Sequence, residues 1–319
     1  MAVYTDVAFD DLEGLLTDYD IGEPRSFKGI AEGVENSNFA LQTTRGTYIL
    51  TLYEKRVSAG DLPFFLGLLD HLAGHGVACP LPVHSKSGAR WTELNGRPAA
   101  ILTYLDGLSL RRPGVQHCAA VGRALAELHE AGRDFALVRA NALSLAGWHG
   151  LADSTLGQAD KVQPGLAELI VSSLRQLDVE WPTGLPTGVI HADLFPDNVL
   201  FLDDKVSGLI DFYFACNDAY AYDLAIMLNA WCFEQDGAYN ITKGRSLIAA
   251  YCRQRPLDAA EREALPQLAR GAALRFLLTR LFDWLQRDPV ALVRPKDPLD
   301  YSRRLRFHRS VKRASEYGL

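Results

Sequence analysis

Two hydrophobic periodicities divide this chain. Asn38–Thr43 and Thr47–Tyr53 alternate apolar with polar residues on either side of Arg45-Gly46, the period of two that a half-buried strand shows and the turn that closes a hairpin. A helix is predicted over Asp61–Ala73 from the spacing of Phe64, Phe65, Leu68, Leu69 and Leu72, and a second strand pair over Ala89–Leu94 and Pro98–Leu105 around Asn95-Gly96. From Asp106 onward the period lengthens to that of helices: Val115–Ala131 carries Cys118, Val121, Leu125 and Leu128 on one face, and Leu224–Phe233 and Gln267–Gln286 read the same way. Three short apolar runs, Gly188–Ile190, Asn198–Phe201 and Val206–Ile210, are predicted as strands. The pattern implies an α+β fold, with a small antiparallel β-rich lobe over 1–104 and a larger, mainly helical lobe over 105–319, the chain crossing near Thr103–Gly107.

With 319 residues, 48% of them apolar, the chain can bury a core in each of two lobes. A formal charge of −6 gives no field that would gather nucleic acid or an anionic membrane, so a small molecule is the expected partner. The basic run Arg303–Arg313 reads as the solvated face of a helix. The stretch MAVYTDVAFDDLEGLLTDYD has neither the basic nor the apolar region of a signal peptide, and the most apolar window, 268–285, is interrupted by Arg270, Arg275 and Arg280. A cytoplasmic protein is expected, with the choice between monomer and homodimer left open. Five cysteines, odd in number and without a C-x-x-C pair, read as reduced thiols.

The densest cluster of chemistry is HADLFPDN, residues 191–198. Asp193 precedes Asn198 by five positions, and Asp211 follows in Leu209-Ile210-Asp211-Phe212. Phosphoryl transfer asks for a carboxylate that orients the acceptor hydroxyl and for oxygen ligands that hold a hard cation on the phosphates. A kinase catalytic loop spaces its Asp and Asn in this way and follows them with Asp-Phe-Gly; here Tyr213 stands in place of the glycine. A metal-dependent hydrolase would need more histidines at ligand spacing than His191 and the pair His71 and His75 supply.

HADLFPDN, the strand after it, IDFYFA and Tyr222-Asp223-Leu224-Ala225 together resemble the signature of the aminoglycoside phosphotransferase and choline kinase superfamily. The resemblance implies the bilobal protein-kinase-like fold, with ATP and Mg²⁺ as cofactors. It makes Asp193 the base, Asn198 and Asp211 the Mg²⁺ ligands, His191 a structural brace, and Asp223 an N-cap for the helix after it. The turn Gly29–Asn38 would cover the phosphates through Gly33, Asn36, Ser37 and Asn38, and the backbone of Thr103, Tyr104 and Leu105 would meet the adenine. One departure stands out: Thr51 occupies the place of the strand lysine. Lys55, on the same face as Thr51 and Tyr53, either reaches inward from the strand's end or lies solvated, and Asp61 is the candidate acid on the following helix.

Further stretches, among them Leu50–Arg56, Asp61–Phe65, Asn141–Ser144, Asp211–Asp218, Asn229–Glu234 and Leu305–Arg309, resemble the homoserine kinases built on this fold, end to end. That likeness implies phosphorylation of the L-homoserine hydroxyl by ATP, in threonine biosynthesis. Choline, an aminoglycoside and methylthioribose are the alternative acceptors, and a non-catalytic nucleotide-binding module the alternative of another class. A zwitterionic acceptor wants an anion for its ammonium and a cation for its carboxylate. Asn217, Asp218 and Trp231 are candidates for its pocket. Arg275 and Arg280, on a helix apolar nearly all round, either face a ligand or find buried partners.

Overall fold

The structure is a computed structural model, and it describes residues 5–30, 36–54, 57–287 and 295–319. The chain divides into two compact units: one holds the residues up to Gly107 together with Ser207–Tyr213, the other Leu108–Val206 and Phe214–Leu319.

The first unit is built on a five-stranded antiparallel sheet: β1 (Pro24–Gly29), β2 (Ser37–Thr43), β3 (Thr47–Leu52), β4 (Thr92–Leu94) and β5 (Arg97–Thr103), in the order β1-β2-β3-β5-β4. The hairpin predicted about Arg45-Gly46 pairs Phe39 with Leu50 and Leu41 with Tyr48. Along β2 the residues Phe39, Leu41 and Thr43 turn inward while Asn38, Ala40 and Gln42 do not, as the period of two requires. Phe39 stacks on Phe27 at 4.5 Å, and Leu12, Leu15 and Leu16 of α1 (Phe9–Leu16) complete this core. Asn95 and Gly96, both at positive φ (51° and 72°), form the tight turn between β4 and β5. That pair is shorter than predicted. Helix α2 (Leu62–Gly74) buries all five of the apolar residues that predicted it.

The second unit is helical: α3 (Val115–Ala131), α4 (Leu145–Val162), α5 (Leu166–Glu180), α6 (Tyr220–Trp231), α7 (Ile241–Gln254), α8 (Ala259–Leu285) and α9 (Leu299–Ser310). Its strands are β6 (Thr187–Ile190), β7 (Val199–Leu202) and β9 (Cys216–Ala219), while β8 (Lys205–Leu209) straddles the boundary of the units. β6 and β9 pair antiparallel with Ile190 opposite Cys216, so the chain leaving β6 emerges where β9 begins.

Two helix boundaries differ from the sequence reading. The helix predicted over 224–233 begins at Tyr220, directly off β9, and its N-cap is Ala219. The helix predicted over 267–286 begins at Ala259, capped by Asp258 and Glu261, and runs through Pro266. A mid-helix proline costs about 3 kcal/mol; Leu265, Leu268, Ala269, Ala272 and Ala273 around it are buried and offset that cost.

Candidate active site

His191–Asn198 forms the loop between β6 and β7. Its apolar members hold it down. Leu194 is buried and its carbonyl accepts a hydrogen bond from Trp231 Nε1 at 2.8 Å, while the Phe195 ring meets Phe276 edge-on at 4.8 Å. Pro196–Asn198 close into a 3₁₀ turn that brings Asn198 back under Asp193. The Asn198 amide then donates to the Asp193 carbonyl at 2.8 Å and to its carboxylate Oδ2 at 3.1 Å. The five-residue spacing thus joins the two side chains, and with the amide nitrogen committed to Asp193 the Asn198 amide oxygen is the atom that can serve a cation.

His191 is fully buried, and its Nδ1 accepts the Asp193 backbone N–H at 3.3 Å. Asp197, the second acid of the loop, points away: its side chain is 56% exposed and pairs with Lys296 at 2.7 Å.

Asp223 corrects the sequence reading. It is no N-cap: it lies in the first turn of α6, 0% exposed, and its carboxylate accepts the backbone N–H groups of His191 at 2.7 Å and Ala192 at 3.0 Å. His129 of α3 adds a third bond at 3.2 Å. Burial alone would raise the Asp223 pKa, but the His129 contact and the loop amides outweigh it and the net direction is down. Burial drives His129 the other way, lowering its pKa despite Asp223. The pair is therefore carboxylate and neutral imidazole, with Tyr251 bonded to the second imidazole nitrogen at 2.8 Å.

In the first unit, Asp211 follows β8 in the left-handed conformation, φ 64°, and opens the 3₁₀ turn Phe212–Phe214. Tyr213, at the glycine's place, packs edge-on against Tyr53 and Phe65. Thr51, where a lysine was missed, is buried and donates to Asn38 Oδ1 at 2.8 Å. Ser37 donates to Glu54 at 2.7 Å, and Asn36 accepts from the Glu54 backbone N–H at 3.3 Å. Glu54, itself paired with Arg97 at 3.3 Å, was not among the expected site residues. Gly33 and Lys55 lie outside the described residues. Thr103 spends its N–H and its hydroxyl on Leu81 (both 2.9 Å), while Tyr104 is 46% exposed and Leu105 half-buried. Asp61 ends a short 3₁₀ turn and immediately precedes α2.

The proposed acceptor residues separate into two groups. On β9, Asn217 Oδ1 accepts the Arg139 N–H at 2.8 Å and Asp218 accepts from Asn141 at 2.7 Å, both half-buried. The Arg139 guanidinium reaches the Ala215 carbonyl at 3.2 Å. Neither Arg139 nor Asn141 was among the expected site residues; Asn141 entered the sequence reading only as part of the stretch Asn141–Ser144, with no role attached. Trp231, Arg275 and Arg280 are engaged internally: Trp231 on Leu194, Arg275 on the Ala192 carbonyl, and Arg280 on Asp297 and Asp300. The cysteines are free, and burial pushes Cys79 and Cys216 up to about 12, far from a nucleophile's range.

Residues 26–257 match the model of the phosphotransferase enzyme family. The chain belongs to that family. Homoserine kinase of Xanthobacter autotrophicus is 64% identical over 319 residues, covering 100% of this chain and 99% of that one. Those of Methylobacterium sp. and Bradyrhizobium diazoefficiens are 63% and 62% identical over 100% of this chain and 99% and 98% of theirs. Among solved structures, an amicoumacin kinase in complex with AMP-PNP and Ca²⁺ superposes with TM-score 0.69 at 16% identity, over 93% of this chain and 90% of that one. A spectinomycin phosphotransferase gives 0.68 at 13% over 98% of each. These likenesses establish the phosphotransferase fold expected from the sequence, β-rich N-lobe and helical C-lobe included. Among the described residues of this phosphotransferase, no helix is long and apolar enough to cross a membrane.

Proposed function

We propose that this phosphotransferase transfers the γ-phosphoryl group of ATP to the side-chain hydroxyl of L-homoserine, giving O-phospho-L-homoserine and ADP in the cytoplasm, as a step toward threonine. The observation that carries the acceptor is the 64% identity to a homoserine kinase over the whole of this chain. Asp193 orients the hydroxyl for in-line attack and takes its proton as the bond forms. Asn198 fixes the carboxylate through Oδ2, so the base is held before substrate arrives. The donor set fits Mg²⁺: an amide oxygen from Asn198 and a carboxylate from Asp211 are hard ligands without a thiolate or imidazole. When bound, Mg²⁺ neutralises charge on the phosphates. Tyr104 and Leu105 take the adenine edge, and Asn36, Ser37 and Asn38 serve the phosphates. On the acceptor side, Asp218 receives the ammonium, and Asn217 holds the segment that carries Arg139.

An ADP-release assay with homoserine, choline, methylthioribose and kanamycin tests the reading. Homoserine should be the acceptor turned over, with a phosphorylated product in the mass spectrum. Turnover of choline or kanamycin without turnover of homoserine overturns it.

A further inference from the structure

Four non-glycine residues among those described have φ in the left-handed region: Asn95, Ala192, Asp203 and Asp211. Asn and Asp tolerate it because their short polar side chains bond locally. Ala192, φ 62°, has no such means, and the conformation is strained for an alanine. It is also 1% exposed and immediately precedes Asp193. Something must hold it.

Both polar groups of Ala192 are gripped by charges. Its N–H goes to the Asp223 carboxylate of α6 at 3.0 Å, and its carbonyl receives Arg275 Nη1 from α8. The Asp223 side is anchored in depth: His129 donates to Asp223, accepts from Tyr251, and Arg255 bonds Tyr251 at 3.1 Å while pairing with Glu261 at 2.8 Å. On the other side, Arg275 is 2% exposed, its guanidinium 4.4 Å from the Phe276 ring centroid and 5.6 Å from that of Phe214. Desolvating a guanidinium is expensive, and a neutral side chain would fill that space at lower cost. The bond it gives is charge-assisted and aimed at one carbonyl.

We infer that Arg275 is a positioning residue: it holds the Ala192 carbonyl against Asp223 on the amide side, locks residue 192 in the left-handed conformation, and so sets the direction in which Asp193 leaves the loop. Relaxation of residue 192 to extended backbone turns ψ by roughly 90° and swings the following peptide with it. A displacement of about 1 Å at a reacting group costs on the order of 100-fold in rate. Arg275 acts through Asp193, and the inference rests on Asp193 being the base.

The test pairs Arg275→Met with Ala192→Gly. Arg275→Met keeps the apolar stem and removes the donors, and it should lower kcat by roughly 10- to 100-fold while the acceptor KM moves less than about threefold. Glycine takes positive φ without steric cost. Adding Ala192→Gly to Arg275→Met should therefore raise kcat again, by at least about threefold. Arg275→Lys, which retains one charged donor, should fall between wild type and Arg275→Met, and it carries the same comparison if the Met variant does not fold. Two results overturn the inference: a raised acceptor KM at unchanged kcat, which is the signature of a carboxylate-binding arginine, or a double variant no faster than Arg275→Met alone. All rates are compared on whichever acceptor the wild-type chain phosphorylates fastest, so failure of homoserine as acceptor is read separately, from wild type.

Discussion

The hydroxyl oxygens of Tyr53 and Tyr213 lie 3.2 Å apart, their rings edge to face at 5.3 Å. The contact ties the end of β3 to the residue two positions after Asp211, at the place where a kinase template has glycine. Burial pushes Tyr213 up to about 12 and Tyr53 well above its ordinary value, so both remain phenols at neutral pH. Tyr213→Phe leaves a buried Tyr53 hydroxyl without that partner and should cost about 1–3 kcal/mol. Tyr213→Ala also opens a cavity beside Phe65 and should cost about 3–5 kcal/mol. Urea denaturation measures both, and a Phe variant as stable as wild type would show that the hydroxyl contact contributes nothing.

Asp193 and Asp197 are four residues apart in one loop and have opposite surroundings. Asp193 is held by Asn198 at 3.1 Å, whereas Asp197 is 56% exposed with Lys296 as its partner. Asp193→Ala should lower kcat by at least about 1,000-fold with the ATP Kd changed less than about threefold, because the base proposed at Asp193 acts on the transferring proton and not on the nucleotide. Asp197→Ala should keep kcat within about twofold, since an exposed ion pair is worth little. Steady-state kinetics with calorimetric ATP titration decide it; equal losses in the two variants would remove the distinction between the acids.

The parts of the fold that the sequence discloses are those governed by local periodicity. Helix α3 is found at Val115–Ala131, its predicted bounds, because Gly114 and Gly132 bracket an unbroken apolar stripe. The β2–β3 hairpin and the Asp193–Asn198 partnership are legible for the same reason: a turn and a five-residue spacing carry them. The role of Asp223 is not, because its partners, His129 and the loop amides, are 94 and at least 31 residues away, and an Asp before an apolar run looks locally like a cap. Arg275 was noticed as a cation on an apolar helix, but nothing local names Ala192, 83 residues away, as its acceptor. The helix expected over 267–286 starts just after Pro266, whereas α8 starts at Ala259 and runs through that proline.

Stability should fall as the solution is acidified from pH 7 to 5. His308 is buried, with Nε2 facing Asn229 Oδ1 at 3.0 Å and Nδ1 facing Tyr317 Oη at 2.8 Å. The Asn229 amide nitrogen is committed to two carbonyls, so Nε2 carries the proton and Nδ1 accepts. Burial, with Arg304 and Arg270 nearby, lowers the His308 pKa to about 3, and burial lowers His129 too. Below about pH 6.5 the unfolded chain binds more protons at both than the folded chain does, so the unfolded state gains. The contribution of His308 is complete above about 6.5 and is lost progressively toward 3, at up to about 1.4 kcal/mol per pH unit, and His129 acts in the same direction. His308→Gln, which can bond both neighbours without titrating, should reduce the slope between pH 6 and 5 by up to about 1.4 kcal/mol per pH unit. An unchanged slope would mean that His308 takes its proton in the folded state.

At Gly122, helix α3 packs directly against the α7 backbone. A Cβ built there would lie 2.3 Å from the Leu247 carbonyl oxygen and 3.2 Å from its Cα. Backbone atoms inside a helix cannot step aside as a flexible side chain can, so Gly122→Ala must separate the two helices. It should destabilise the protein by about 2–3 kcal/mol, although alanine is the better helix former by about 1 kcal/mol. Gly157, exposed on α4 with nothing within 4 Å of its Cβ position, supplies the contrast. There the same substitution should stabilise by up to about 1 kcal/mol, because only backbone freedom changes. Denaturant midpoints of the two variants should therefore move in opposite directions; a shift of both toward higher stability would show that α3 and α7 tolerate a wider spacing at Gly122.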